Sequence, residues 1–396
     1  MKINYKFLIT LFSIIILIGT CFASASKKDN NEDNKITKFK EELLNKNIQF
    51  LMKFGNIPSI STCIIQNNQT FWDNSYGFYD IKNHKSSTKN TIYHAASIAK
   101  SITATAAMQL YEKNLFKLDD DINDYLPFQI HHPQYPDITI TFRMLMSHTA
   151  GLKEAPFNVQ IEMIEYNQDP PSISSWIKNY FYTNDTLNEE LWLDNKPGTK
   201  YSYANEDFFL IAYIVEILTE KSFNTYCKEN IFIPLDMTNT SFYLSEINQS
   251  NIAIEYIYFD DYKLPIDFYS WAMYPSGNLY TTIEDLSHFV IANMNNGIYK
   301  DIRILNSSTI NLMHTIQTPK NLKNKNYGLG FQIWDKLLKK NDCYGHYGSM
   351  LGTYSQIKIK TYENTGLIYL LTVNVNRGIK EKISLYLIEK IISILL

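Results

Sequence analysis

The chain has 396 residues, of which 45% are hydrophobic, 14% aromatic and 19% charged, a balance that excludes a disordered chain, a collagen and a long coiled coil. At roughly 150 residues per domain it is long enough for two lobes, or for one large domain with an insertion, around a sizeable core. With 37 Lys and Arg against 40 Asp and Glu the formal net charge is −3, which leaves no broad basic excess for a nucleic-acid backbone.

The N-terminus carries Lys2 and Lys6, an apolar run over 7–22 and the small-x-small triplet Ala23-Ser24-Ala25. That is the layout of a secretory signal peptide over 1–25 and predicts a secreted or periplasmic protein; left uncleaved, the same run would associate the chain with a membrane. Residues 26–35 are polar and low in complexity, and read as a disordered spacer. Phe39, Leu43, Leu44, Ile48 and Leu51 then recur at helical spacing over 36–54. Two strands follow at 59–66 and 70–76, joined by a hairpin turn at Asn67-Asn68. A polar loop leads to an extended segment at 92–96 and a long alanine-rich helix over 97–114. Beyond it the chain is mixed, with helices at 174–182 and 206–218. After Pro275-Ser276-Gly277 come a helix at 282–295, strands at 327–334, 354–360 and 366–375, and an amphipathic helix at 381–395 whose apolar stripe reads as core packing. This order predicts an α+β fold: an antiparallel sheet flanked by N- and C-terminal helices, with a mostly helical lobe inserted. The α/β lobe is placed at 36–96 and 275–396, and the helical lobe at 97–274.

Ser97-Ile98-Ala99-Lys100 is a Ser-x-x-Lys at the start of the alanine-rich helix. The spacing recurs at Ser24, Ser86 and Ser175, so position singles Ser97 out: a serine there sits beside unpaired N–H groups and the positive end of the helix dipole. Residues i and i+3 share a helix face, which lets the Lys100 amine reach Ser97 Oγ, and a desolvated lysine gives up its proton readily enough to act as a base. The plain alternative is a capping serine followed by a surface lysine. Tyr203-Ala204-Asn205 lies between the Pro197-Gly198 turn and a helix, so a phenol and an amide project from a fixed scaffold. A phenol beside a lysine cation is expected to have its pKa lowered and to carry protons, while Asn205 offers both donor and acceptor. Gly345-His346-Tyr347-Gly348-Ser349 falls between two strand-like segments. Glycines there admit close backbone approach, and the Ser349 N–H can face that of Ser97 as an oxyanion hole; the alternative is a glycine-rich bulge with an incidental histidine. Cys63, Cys227 and Cys343 are too far apart for a metal-binding pair, no metal constellation is visible, and this chemistry requires no cofactor.

Taken in order, these residues resemble the serine β-lactamase and penicillin-binding protein superfamily, specifically its class C branch. That branch includes β-lactamases, D-alanyl-D-alanine carboxypeptidases, related esterases and eukaryotic β-lactamase-like proteins. The likeness extends to further segments. Leu145-Met146-Ser147-His148-Thr149-Ala150-Gly151-Leu152 is similar to the branch's Leu-Leu-x-His-Thr-Ser-Gly-Leu, Ile233-Pro234-Leu235-Asp236-Met237-Thr238-Asn239-Thr240 to its Pro-Leu-Gly-Met-x-x-Thr, and Pro275-Ser276-Gly277-Asn278-Leu279-Tyr280-Thr281-Thr282 to its Pro-Ala-Gly-Gly-Leu-x-Ser-Thr.

The resemblance implies a β-lactamase/transpeptidase-like fold over 36–396 and an exported serine hydrolase that cleaves an amide or ester through an acyl-serine. Ser97 would be the nucleophile, Lys100 its activating partner and Tyr203 the proton relay. Asn205, His346, Gly348 and Ser349 would hold the substrate, a small molecule or a peptide such as a peptidoglycan stem peptide. His148 and Arg143 would be structural. Class C β-lactamases carry Lys-Thr-Gly where this chain has His346-Tyr347-Gly348. A histidine is shorter and mostly neutral at pH 7, so it grips a β-lactam carboxylate less firmly, which favours a carboxypeptidase or esterase over an efficient β-lactamase. The alternative function is a non-catalytic descendant that binds a penicillin or a peptide in the same cleft.

Overall fold

A single antiparallel sheet organises the chain. The structure, a computed structural model, describes residues 30–183, 186–259, 262–319, 326–334, 343–373 and 379–392. Seven strands, β1 (Ser59–Gln66), β2 (Gln69–Asp80), β3 (Lys85–Ser86), β4 (Gln332–Ile333), β5 (Cys343–Met350), β6 (Thr353–Lys360) and β7 (Thr365–Thr372), lie in the order β4-β5-β6-β7-β1-β2-β3. Asn67 and Asn68, at φ +52° and +60°, close the β1–β2 hairpin, both in the left-handed region that a tight two-residue turn requires. Every residue of β7 is buried, and its side chains alternate between two cores. Leu367, Tyr369 and Leu371 pack with Leu44, Ile48 and Leu51 of helix α1 (Asn30–Phe54) and with Leu387 and Ile388 of α5 (Ile379–Ile392). Ile368 and Leu370 face the larger core, which holds Phe289 and Val290 of α4 (Ile283–Met294). Truncating Leu370 or Leu371 to alanine removes a fully buried side chain, a loss of about 2–5 kcal/mol.

Between β3 and β4 the chain leaves the sheet and builds α2 (Ala99–Glu112), α3 (Asn205–Thr219) and many loops. The run Ala99–Leu110 of α2 is buried throughout and packs against α3, because its small side chains let neighbouring elements approach from every side. This is the expected α+β architecture, an antiparallel sheet flanked by terminal helices with helical elements inserted.

Several boundaries differ from expectation. Helix α1 begins at Asn30, so residues 30–35 of the expected spacer are helical; the expected signal segment at 1–25 lies outside the described residues. No helix among the described residues is long and apolar enough to cross a membrane. The strand expected at 327–334 pairs with β5 only at Gln332 and Ile333. Gly330 at φ +76° reverses the chain there, and the Gly328 N–H donates to the Phe331 carbonyl at 2.8 Å. Gly345 to Ser349 do not lie between strands; they form the body of β5.

Candidate active site

Ser97 sits in the middle of a 3₁₀ turn, Ala96–Ile98, that leads into α2. Ala96 takes φ +47°, a strained conformation for a residue with a Cβ, and the surroundings hold it there. The Ala95 N–H donates to the Leu279 carbonyl at 2.7 Å, Ser355 Oγ donates to the Ala95 carbonyl at 2.6 Å, and Thr353 Oγ1 donates to the His94 carbonyl at 2.8 Å. Strand β6 thus clamps the segment that presents the serine. Strand β5 lies closer still: a Cβ on Gly348 would fall 2.8 Å from the Ser97 nitrogen and 2.3 Å from the Ala95 oxygen. β4 pairs only with Tyr344 and Gly345, so among the described strands none covers the edge of β5 from His346 onward, and that edge borders the turn.

Lys100, one helical turn on, is fully buried. Its Nζ donates to Ser97 Oγ at 3.3 Å, to Asn205 Oδ1 at 2.5 Å and to the Ser276 carbonyl at 2.7 Å. Burial pulls the amine down from 10.5 to about 7, against the opposing pull of Glu154, Glu206 and Asp207. Lysine at this position is therefore poised between its charged and neutral forms at neutral pH.

Tyr203 lines the cleft with Ser97, and its ring lies beneath the amine, with Lys100 Nζ 4.7 Å from the centroid. The expected lowering of its pKa is not found. Burial pushes the phenol well above its ordinary 10, the Ser97 hydroxyl as hydrogen-bond partner works the other way, and the negative Glu154 adds to the rise. Burial is the largest influence on the phenol.

The bend carrying Tyr203 is held by His148. The Ser202 N–H donates to the His148 carbonyl at 2.9 Å, the Ala204 N–H to His148 Nδ1 at 3.3 Å, and the imidazole packs 4.5 Å from the Tyr203 ring. His148 Nδ1 also meets Asp207 Oδ2 at 2.6 Å. Burial drives the imidazole well below and the Asp207 carboxyl well above their usual values, so both partners favour their neutral forms. Arg143, in the short helix Phe142–Met146, grips Asp119 through two nitrogens at 2.7 and 2.8 Å, away from the residues that line the cleft.

Asn205 opens α3 and is engaged on both sides. Its Oδ1 accepts from Lys100, and its Nδ2 donates to Glu154 Oε1 at 2.6 Å. The side chain therefore orients the lysine as well as lining the cleft. Ser349 also lines the cleft, and Gly348 lies so near the nucleophile's turn that a Cβ there would clash with the Ser97 nitrogen. His346 does not line it. The imidazole is wholly buried, with Nε2 at 2.8 Å from the Tyr327 hydroxyl and Nδ1 at 2.6 Å from the Tyr347 carbonyl, and burial lowers its pKa to about 3. The residue pairs with Ile357 in the ladder and its ring lies 6.3 Å from that of Tyr203, so it stands behind the tyrosine rather than among the residues that line the cleft. Glu154, Gln160, Trp271 and the Ser276 carbonyl belong to the site but carry no catalytic motif. Ser276 stands in one of the family-like segments; Glu154 gives no signal, since its partner is 51 positions away.

Comparison with known proteins follows the same line. A family model described as Beta-lactamase matches residues 44–386. Protein flp of Staphylococcus aureus (strain N315) is 26% identical over 348 residues, covering 86% of this chain and 64% of that protein. Beta-lactamase-like protein 2 of Dictyostelium discoideum is 26% identical over 358 residues, covering 84% of this chain and 60% of that protein. The chain thus spans under two thirds of the length of these curated relatives. Among solved structures, the octameric penicillin-binding protein homologue from Pyrococcus abyssi aligns with a TM-score of 0.71 at 23% identity, over 84% of this chain and 73% of that one. EstCE1, a hydrolase with promiscuous acyltransferase activity, aligns with a TM-score of 0.72 at 17% identity, over 88% of this chain and 98% of that one. These structural likenesses concern the fold.

Proposed function

The chain belongs to the beta-lactamase family, and from that premise we propose that it is an exported serine hydrolase of the class C type, cleaving an ester or amide through an acyl-serine. The observation that carries the reading is the fully buried Lys100, its Nζ 3.3 Å from Ser97 Oγ and its amine brought down to about 7. In its neutral form Lys100 takes the Ser97 proton as Oγ attacks the substrate carbonyl carbon. The N–H groups of Ser97 and Ser349 receive the oxyanion, beside a β5 edge that no described strand covers. Tyr203, kept as a protonated phenol, gives its proton to the leaving group and is left as a phenolate; in deacylation it takes the proton of the attacking water, while the Lys100 ammonium returns the serine proton to Ser97 Oγ as the ester breaks. Export rests on the 1–25 segment and makes the protein secreted or periplasmic.

A carboxypeptidase or esterase fits this site better than an efficient β-lactamase, because His346 is buried and neutral and offers no cation to a β-lactam carboxylate. The test is covalent labelling with a fluorophosphonate probe, wild type against Ser97→Ala. Labelling of the wild type and its loss in the variant are expected. Full labelling of Ser97→Ala would place the nucleophile elsewhere, and an unlabelled wild type would favour a non-catalytic binding protein.

A further inference from the structure

The formal charge along the cleft is one-sided. Its described lining is Ser97, Glu154, Gln160, Tyr203, Asn205, Trp271, Gly277, Tyr347, Ser349 and Met350. Within that set stands one carboxylate and no lysine, arginine or histidine. Glu154 is exposed and uses Oε1 to accept from Asn205, which leaves Oε2 to face a ligand. Gln160 donates one N–H of its amide to the Ala155 carbonyl at 2.7 Å, and its other N–H and its oxygen are not engaged by that bond. Three aromatic rings, Tyr203, Trp271 and Tyr347, complete the walls, and ring faces attract cations. Three successive hydrogen bonds, Ser97 to Lys100, Lys100 to Asn205 and Asn205 to Glu154, link the carboxylate to the nucleophile. Glu154 is therefore placed to meet a substituent close to the scissile carbonyl. The cleft is also small, about 120 Å³, which suits a compact group.

We infer that Glu154 makes the cleft selective for substrates with a free ammonium near the scissile carbonyl, that is, aminoacyl esters or amides in preference to N-acylated or anionic ones. Glu154 acts here as a specificity-determining residue. The inference rests on the acyl-serine reading for its account of turnover, but binding can be measured without it. A charge-assisted hydrogen bond to an ammonium supports roughly ten- to hundredfold discrimination.

The experiment uses the full chain carrying Ser97→Ala, which binds without turnover, and calorimetry at pH 6.5, where an α-amino group is protonated. Three ligands are compared: glycine benzylamide, N-acetylglycine benzylamide and N-benzylsuccinamate. The free amine is expected to bind at least tenfold more tightly than the acetylated form. Adding Glu154→Gln should bring that ratio close to one, and Glu154→Lys should turn the preference toward the succinamate. Raising ionic strength from 0.02 to 0.5 M should shrink the preference in Ser97→Ala alone, which requires no further variant. Equal or tighter binding of the acetylated or anionic ligand in Ser97→Ala, or a preference that survives Glu154→Gln, overturns the inference. Because the fluorophosphonate experiment reads Ser97 alone, failure here and failure of the acyl-serine reading are told apart.

Discussion

The amine of Lys100 sets the pH at which a lysine-activated Ser97 should work. A fall from 10.5 to about 7 corresponds to about 5 kcal/mol in favour of the neutral form, supplied by complete burial and reduced by Glu154, Glu206 and Asp207. If neutral Lys100 is the base, kcat/KM for a p-nitrophenyl ester follows its neutral fraction. That fraction is about one tenth at pH 6, one half at pH 7 and nine tenths at pH 8. The profile should rise about tenfold per pH unit below 6, bend near 7 and level off by 8.5, after subtraction of the Ser97→Ala background. Lys100→Ala should abolish the enzymatic rate. The same displacement has a thermodynamic counterpart. Folding lowers this pKa, so between pH 7 and 10.5 the unfolded chain holds a proton that the native chain lacks. Stability contributed through Lys100 is then flat below pH 7 and rises with pH across the window by about 1.4 kcal/mol per unit. Urea unfolding of wild type and Lys100→Met at pH 6, 7.5 and 9 should show their difference moving in favour of the wild type, by about 1 kcal/mol over the first interval and about 2 kcal/mol over the second. A kcat/KM that keeps climbing tenfold per unit past pH 9, as an ordinary lysine would give, refutes the reasoning, as does a flat profile from pH 5 to 9.

Elements with a strong local pattern are legible in the sequence itself. The strand at β7, the Asn67-Asn68 turn and the helices α2 and α3 are local consequences of side-chain period and backbone preference. The grouping of Ser97, Lys100, Tyr203 and Asn205 is legible through their motifs, and the fold brings them together around one ammonium. What stays hidden depends on depth and on distance along the chain. His346 and Tyr347 are neighbours, yet strand parity buries one behind Tyr203 and sends the other to the cleft. The parity can be read from Tyr344, a large residue two positions before His346 and buried with it. The pKa of Tyr203 runs against expectation because a charge in the sequence suggests attraction, whereas burial, which the sequence does not print, dominates it. Gly330 looks like any glycine in a strand until its φ of +76° is known. Glu154 meets Asn205 only through tertiary folding, so no spacing could point to it.

Three further outcomes separate the roles of the remaining residues. Tyr203→Phe should reduce kcat for p-nitrophenyl acetate by roughly 10²–10⁴-fold, the usual worth of a positioned proton donor, and an unchanged kcat would remove the phenol from the mechanism. Gly348→Ala should act by geometry alone: its Cβ would lie 2.3 Å from the Ala95 oxygen and 2.5 Å from Ser355 Oγ, so strand and turn must part. A displacement on the order of 1 Å at the nucleophile lowers kcat/KM by about 100-fold, and near-wild-type activity would show that β5 need not touch the Ser97 turn. The last outcome is substrate class, read as kcat/KM for a chromogenic cephalosporin against a p-nitrophenyl ester on one preparation. The cephalosporin carries a carboxylate into a cleft whose lining holds one charged side chain, Glu154, with Lys100 buried behind Ser97 and Tyr203, while the histidine at the family's lysine position is buried against Tyr327. No interaction with that carboxylate strengthens on the way to the transition state, so binding gains no rate there. The ester needs only the oxyanion site and a good leaving group. Ester hydrolysis should therefore be the faster, and a cephalosporin kcat/KM of about 10⁵ M⁻¹s⁻¹ or more, the range of an efficient enzyme, would refute this ordering.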